Sequence, residues 1–581
     1  MAASWRDRHG RWWGRRPGLA ALAPVSTDRP TTDHAGRATT RPLATTSATT
    51  TTMGAWSLYF ILGFGLHVTG MITLAPWFNL LLAAGLSWPL DPARQPGLRR
   101  ARAWLAWPVA AALLYHESQL PPPARLLANR AALTSFSADY LLELLARFVN
   151  PVLLAALAGV VLLWWLGRRR LRWAGWVWAG LLGLGVQAGV QGVQAWLAPA
   201  TAAGAGRELY DIRPTAAAQP LGVAQLDEYL THFYAGERGK VLRLPTQGEP
   251  AFDLLILSVC SLSWDDIRYA GLQDAPLLRR LDVLFRNFNT VASYSGPAVL
   301  RLLHATCGQT PQAELYGAAP EACYLLRNLE RAGYQPHLLL NHDGHFDGFA
   351  EQLRSASGVG LQTGASQPGV AVAMRSFDGT PILDDYALLG PWWQAHTGGE
   401  QRVALLYNTI SLHDGNQVPG LASRSSIDTY KPRVRKLFAD LERLLAQIEA
   451  GGRPTVVVLV PEHGGAVAGE AGQIAGLRDY PTAGVTHVPA GVALFNLGPR
   501  RAPGQPPVVV EQVASYTSLF AVVASLLHGG VAAAAPERLA AVAQALPPIA
   551  WVGENEGALL VRQGGHSFLK LAGSGWRDLD R

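Results

Sequence analysis

"DLLILSVCSLSWDD" spans residues 253–266. Its apolar and small residues climb to Cys260, and a polar turn with Asp265 and Asp266 follows at once. A run this short, closed by a turn, suits a strand buried on both faces of a sheet. Similar runs recur downstream as "HLLLNHD" (337–343), "RVALLYNTI" (402–410), "PTVVVLVPEHGG" (454–465) and "AGVALFNLG" (490–498). Between them lie amphipathic stretches such as "PRVRKLFADLERLLAQIEAGG" (432–452). From residue 251 onward this alternation predicts a doubly wound α/β domain with a mostly parallel sheet. Its ligand site belongs at the carboxyl ends of the strands.

Outward from that domain the chain changes character. Of its 581 residues 49% are hydrophobic and only 16% charged, a balance that leans toward a membrane protein. The long apolar stretches nearly all precede residue 198. Residues 1–52, rich in Arg, Thr, Ala and Pro, are expected to be a disordered tail, and Met53 is a second candidate start. Nothing in the tail resembles a cleaved signal peptide. Residues 53–198 are expected to form a helical transmembrane bundle of about five spans, near 55–74, 76–91, 103–117, 151–167 and 173–197.

Arginines orient the bundle. The tail, "ARQPGLRRAR" and "GRRRLRW" are arginine-rich and fall on one side if the spans alternate, which places them in the cytoplasm. The loop over 118–150 balances Arg125, Arg130 and Arg147 against Glu117, Asp139 and Glu143. Everything after residue 198 is then expected outside the inner membrane, in the periplasm. Residues 199–250 are read as a linker with one amphipathic helix, whose face of Leu226, Tyr229, Leu230 and Phe233 suits packing on the domain at 251–581. Cys307 and Cys323 are a reasonable disulfide in an oxidising compartment, which leaves Cys260 free.

A cysteine at a strand end is ordinarily a small packing residue. The alternative is a metal-holding thiolate, and two further strand ends carry compatible chemistry: Glu462 with His463, and His413 with Asp414. Thiolate, imidazole and carboxylate are ligands that zinc accepts. Ser295, followed by Gly-Pro and a helical pattern, sits near a helix N-terminus. It is either an ordinary cap or a nucleophile beside an anion-binding terminus. His487 before a strand reads equally as a residue of the crevice and as packing. Trp392 and Trp393 suit a core helix face better than a sugar platform.

Five segments carry a family resemblance: "CSLSWDD", "FNTVASYSGPAVLRLLHATCGQ", "LYNTISLHDGN", "VPEHGGAVAG" and "AGLRDYP". They resemble the bacterial cellulose-synthesis phosphoethanolamine transferases, membrane members of the alkaline phosphatase superfamily. The resemblance implies an alkaline-phosphatase-like domain with Zn2+ held by Cys260, Glu462, His463 and Ser295. Ser295 would also accept the phosphoethanolamine, with Tyr294, His413 and Arg478 lining the phosphate pocket. It further implies phosphatidylethanolamine as donor, cellulose as acceptor, and membrane lipid and cellulose synthase subunits as partners. Nothing points to nucleic acid. A transferase acting on lipid A or another envelope glycan, and a membrane scaffold for cellulose synthase, are the alternatives. A sulfatase is rejected, because the arginine of a Ser-x-Pro-x-x-Arg pattern arrives one residue late, at Arg301, with Leu300 in its place.

Overall fold

Every residue of strand β1 (Asp253–Val259) is buried, as its apolar run demands. The computed structural model that shows this describes residues 53–580, apart from 70–71, 73, 92, 119–135, 149–150, 198–224, 247–248, 364–368, 422, 424, 471–472, 500, 502–504 and 573–574. The expected tail 1–52, half of the loop 118–150 and the first part of the linker therefore lie outside the described residues.

β1 sits inside an eight-stranded sheet. The other members are β2 (Val283–Asn289), β3 (Gln335–Leu340), β4 (Gln362–Thr363), β7 (Val403–Thr409), β8 (Thr455–Pro461), β9 (His487–Phe495) and β10 (Val508–Ala514). Their order is β10-β2-β9-β8-β1-β7-β3-β4. β9 runs antiparallel to both neighbours, and every other pairing is parallel. A short hairpin, β5 (Val372–Arg375) with β6 (Pro381–Leu383), stands apart. Apolar side chains fill both faces, with Ile256, Leu406 and Val458 on one and Leu257, Leu405 and Val457 on the other.

The first helices are α1 (Trp56–Val68), α2 (Pro76–Ser87), α3 (Pro96–Glu117), α4 (Ala138–Phe148), α5 (Pro151–Gly167) and α6 (Trp173–Leu197). Five of them overlap the expected spans without matching their bounds, α1 being shorter and α3 starting earlier; α4 is an addition. α6 packs on α1 and α2 around Phe60, Ala83, Val177 and Leu181. Large apolar side chains such as Trp104, Trp107, Leu163 and Trp176 remain exposed. Five membrane spans are nevertheless not established. Among the described residues one helix, Tyr516–Ala533, is both long and apolar enough to cross a membrane, and half of it is buried. Its Leu519, Phe520, Val523 and Leu526 pack in the sheet core, so it is a core helix.

Helix α7 (Leu226–Arg238) packs Leu226 and Leu230 on Val552, Val561 and Phe568. Those residues belong to a second, antiparallel sheet of β11 (Trp551–Asn555), β12 (Ala558–Gln563), β13 (His566–Leu571) and β14 (Trp576–Asp578). Gly564 and Gly565 turn the β12–β13 hairpin with φ of 58° and 83°.

Candidate active site

Backbone pairing continues past the strand tips and brings three of them together. Val259 is level with Thr409 of β7 and Pro461 of β8. Cys260 N–H then donates to Thr409 O (3.0 Å), Glu462 N–H to Val259 O (2.9 Å) and Leu262 N–H to His463 O (2.7 Å). Cys260, Glu462 and His463 therefore leave the central strands at one level, all fully buried. Ser261 makes the turn with φ of 63°, its carbonyl held by the Tyr430 hydroxyl at 2.7 Å.

A staple locks the two turns. Helix α8 (Trp264–Ala270) begins with a capping box between Ser263 and Asp266. The same Asp266 carboxylate accepts from Gly465 N–H (2.6 Å) and Val467 N–H (3.3 Å) beyond β8. Gly464 is required here, because a Cβ would come within 2.7 Å of Ser263.

Ser295 is the first residue of helix α9 (Ser295–Leu303), and Tyr294 occupies the cap position. It is therefore not the cap itself. Ser295 Oγ lies 3.4 Å from Cys260 Sγ and 3.2 Å from His463 Nε2. Cys260 Sγ is 3.8 Å from His463 Nε2, which in turn is 3.9 Å from Glu462 Oε2. His463 Nδ1 lies 2.9 Å from the Gly464 carbonyl, which only accepts, and 3.3 Å from Arg478 Nη1, which only donates; the shorter contact favours the proton on Nδ1 and leaves Nε2 its lone pair. Asn408 and Ser258 donate to Glu462 Oε1, whereas Oε2 is buried without a hydrogen-bond partner.

The electrostatics ask for a cation. Burial, reinforced by Glu462, pushes the Cys260 thiol up to about 12. Burial also raises Glu462, and burial with nearby Arg478 holds His463 well below its ordinary value. A buried thiol, carboxyl and imidazole, each driven toward neutrality, become good donors once a divalent ion compensates the charge. Tetrahedral zinc at roughly 2.0–2.3 Å from each donor needs donor–donor separations near 3.3–3.8 Å. The four separations above lie within or about 0.1 Å outside that range, and with the partnerless Glu462 oxygen they are compatible with such an ion.

Arg478 closes one side of this crevice. Its Nη1 donates to Ser261 Oγ at 2.9 Å and its Nε is buried with no partner. Its guanidinium lies 5.6 Å from the centre of the Tyr294 ring, whose hydroxyl donates to Asp479 at 2.9 Å. His413 donates from Nδ1 to its neighbour's carbonyl, Asp414 O, at 2.6 Å, and burial with Arg478 nearby lowers it to about 4. The expectation that Asp414 adds metal chemistry at this strand tip fails. Its carboxylate is taken by Arg147, Tyr140 and Ser426, and Cys260, Glu462 and His463 gather without it.

His487 is packing: Nε2 faces Arg286 O at 2.6 Å, and the ring lies between Trp264 and Trp551. Trp392 and Trp393 are buried in the core beneath the sheet. Cys307 and Cys323 form the expected disulfide, and Cys260 is free. Sequence reasoning missed Asp266, Asn408 and Arg433. The last donates to Ser411 O (2.9 Å), His413 O (3.0 Å) and Ser426 O (3.0 Å) and so fixes the His413 loop. A polar Asn408 in the apolar run "ALLYNT" is a signal that could have found one of them.

Comparison with solved structures gives distant likenesses. The integral membrane lipooligosaccharide phosphoethanolamine transferase EptA from Neisseria meningitidis has a TM-score of 0.38 and 14% identity, over 80% of this chain and 94% of that one. The zinc complex of the C-terminal periplasmic domain of EcEptC from Escherichia coli has a TM-score of 0.37 and 16% identity, over 50% of this chain and 85% of that one. Among curated proteins, the cellulose biosynthesis protein BcsG of Escherichia coli is 35% identical over 90% of this chain and 96% of its own length. Its counterpart from Salmonella typhimurium is 36% identical over the same shares. Residues 56–186 match the profile of the BcsG N-terminal domain, and residues 212–576 match that of the cellulose biosynthesis protein BcsG C-terminal domain. The chain thus belongs to the family of cellulose biosynthesis protein BcsG.

Proposed function

We propose that the chain is a zinc-dependent phosphotransferase that moves phosphoethanolamine from phosphatidylethanolamine to the 6-hydroxyl of glucose units in cellulose. The reading includes a multi-pass anchor in the inner membrane with residues 251–581 in the periplasm, working beside cellulose synthase subunits. One observation carries it: a hydroxyl at a helix N-terminus, Ser295 Oγ, lies within hydrogen-bonding reach of both the free Cys260 thiol and the His463 lone pair. Membership of a cellulose biosynthesis family supports the acceptor.

Cys260, Glu462, His463 and Ser295 would hold the ion, which when bound lowers the pKa of the serine hydroxyl and neutralises charge on a phosphodiester oxygen. Ser295 Oγ attacks phosphorus; the Oγ–P bond forms as the P–O bond to diacylglycerol breaks, and diacylglycerol leaves with a proton. Arg478, with its unspent Nε donor, holds a phosphoryl oxygen. The first N–H groups of α9 favour the same negative charge. In the second half the glucose 6-oxygen attacks phosphorus, the Oγ–P bond breaks, and the proton lost by the 6-hydroxyl returns to Ser295 Oγ, which gives ping-pong behaviour. His413 is neutral at pH 7 with its proton on Nδ1, so Nε2 is the atom that accepts a proton or a hydrogen bond.

The test uses the full chain in phosphatidylethanolamine vesicles with a cello-oligosaccharide. Mass spectrometry is expected to find the sugar carrying phosphoethanolamine and diacylglycerol accumulating in equal amount. Release of diacylglycerol with the phosphoethanolamine appearing only in water would contradict the acceptor.

A further inference from the structure

Helix α4 has two faces, and among the described residues only one of them is covered. Tyr140, Glu143 and Arg147 are spaced three and four apart and point one way, while Leu141, Leu142 and Leu145 point the other. The polar face is docked on the loops that carry the phosphate-pocket residues. Arg147 forks onto Asp414, with Nη1 to Oδ2 at 2.7 Å and Nη2 to Oδ1 at 2.8 Å. It also reaches Ser426 Oγ at 3.0 Å and Ala475 O at 3.5 Å. Tyr140 donates its hydroxyl to Asp414 Oδ2 at 2.8 Å, and Glu143 accepts from Ser425 Oγ (2.8 Å) and Ser426 N–H (2.7 Å). Asp414 is the neighbour of His413, and Ala475 lies three residues before Arg478. One guanidinium therefore spans both loops.

Aromatic packing extends the dock. Ser137 N–H donates to Phe377 O at 3.1 Å, and Phe136 stacks at 6.1 Å on Phe346. Phe377 lies 4.8 Å from the His413 ring. The leucine face, by contrast, has little cover among the described residues: Leu141, Leu142 and Leu145 are 40%, 64% and 60% exposed. The face itself carries no cation, since the one arginine of α4 is turned inward. The helix runs within three residues into α5, whose Leu154, Leu162, Leu163, Trp165 and Leu166 are also exposed. In sequence the exposed leucines precede α5, and Arg168, Arg169 and Arg170 follow it at the other end.

We propose that α4 lies on the outer surface of the bilayer, leucines in the lipid, and that Arg147 is a positioning residue tying the His413 and Arg478 loops to that surface. An amphipathic helix whose exposed face carries no basic residue binds by burying apolar area rather than by attraction to anionic lipid. Seated there, α4 holds the phosphate pocket at headgroup height, where a lipid donor presents its phosphodiester. The inference rests on the membrane arrangement proposed above.

The test needs no catalysis. Single cysteines replace Leu142, Leu163 on α5, or Glu314 on the catalytic domain in the full chain, and each is labelled with an environment-sensitive dye. The native cysteines are buried or disulfide-bonded and do not compete. In neutral vesicles, lipids brominated close to the glycerol are expected to quench the label at position 142 at least roughly twofold more than lipids brominated at the chain ends. Position 163 should be quenched and position 314 not. Quenching at 163 with none at 142 overturns this inference and leaves the membrane arrangement standing; no quenching at 163 overturns both.

For the clamp, Arg147→Lys keeps the charge and loses the fork. Its kcat on phosphatidylethanolamine should fall about tenfold or more, with zinc content unchanged and KM within about twofold, because a small misplacement of the pocket costs rate before it costs binding. An unchanged kcat would remove Arg147 from the coupling.

Discussion

Among the described residues two clusters offer metal-ligand chemistry, and they differ in burial and in how far their donors are already engaged. Cys260, Glu462 and His463 are buried at the tips of the central strands; His566, Asp578 and Asp580 lie half-buried or exposed on the second sheet. In the first, Glu462 Oε2 has no partner and His463 Nε2 presents a lone pair. In the second the donors are already engaged: His566 Nδ1 with Asp578 Oδ2 at 3.0 Å, Ser567 N–H with Asp580 Oδ2 at 2.6 Å, and Asp580 N–H with Asp578 Oδ1 at 3.0 Å. The difference teaches that residue types alone do not make a site. What distinguishes a binding crevice is burial together with donor atoms left unspent by the fold.

The sharpest way to break this contrast is metal analysis of variants. Cys260→Ala and His463→Ala are expected to lose the bound zinc and all turnover, whereas His566→Ala and Asp578→Ala keep both. Zinc lost from the second pair and kept by the first would invert the comparison. Ser295→Ala should lower turnover by about 10⁴-fold or more in a folded, zinc-loaded protein, since every later step needs the covalent intermediate. Arg478→Ala removes positioning and charge stabilisation only, and kcat should fall by about 10²- to 10³-fold.

Smaller effects probe what holds the crevice. Asp266→Asn leaves the turns after β1 and β8 without their shared carboxylate; chemical denaturation should show a loss of about 2–3 kcal/mol. His487 is neutral and buried, its pKa lowered to about 4 against about 6.5 when unfolded. Its share of stability is whole above about pH 6.5 and is lost as pH falls toward 4, about 2 kcal/mol being gone at about pH 5. His487→Gln should show a shallower acid slope in urea midpoints; an unchanged slope would place the titration elsewhere.

How much of this was legible in the chain varies by element. β1, β3, β7, β8 and β9 announce themselves as continuous apolar runs because both faces of the sheet are covered. β2 hides, since "VLFRNFN" carries Arg286, an exposed side chain paired with Glu511 at 3.0 Å, and Asn287, which donates to the Glu511 backbone. β10 hides as an edge strand with only Val510 and Ala514 buried. Cys260, Ser295, Glu462 and His463 were readable because strand-tip and helix-start positions follow from the elements themselves. The staple of Asp266 and the clamp of Arg147 on Asp414 were not. They join residues 199 and 267 positions apart, and no local pattern records a partner so distant.

The central claim is that Ser295 carries the transferred group. The direct measurement is to quench the full chain during turnover of phosphatidylethanolamine without acceptor, digest it and weigh the peptide containing "SYSGPAVLR". The account predicts a phosphoethanolamine adduct on Ser295 that disappears when a cello-oligosaccharide is added, with the sugar gaining the group. Steady transfer to the sugar with no adduct on Ser295, or an adduct on another residue, would contradict it.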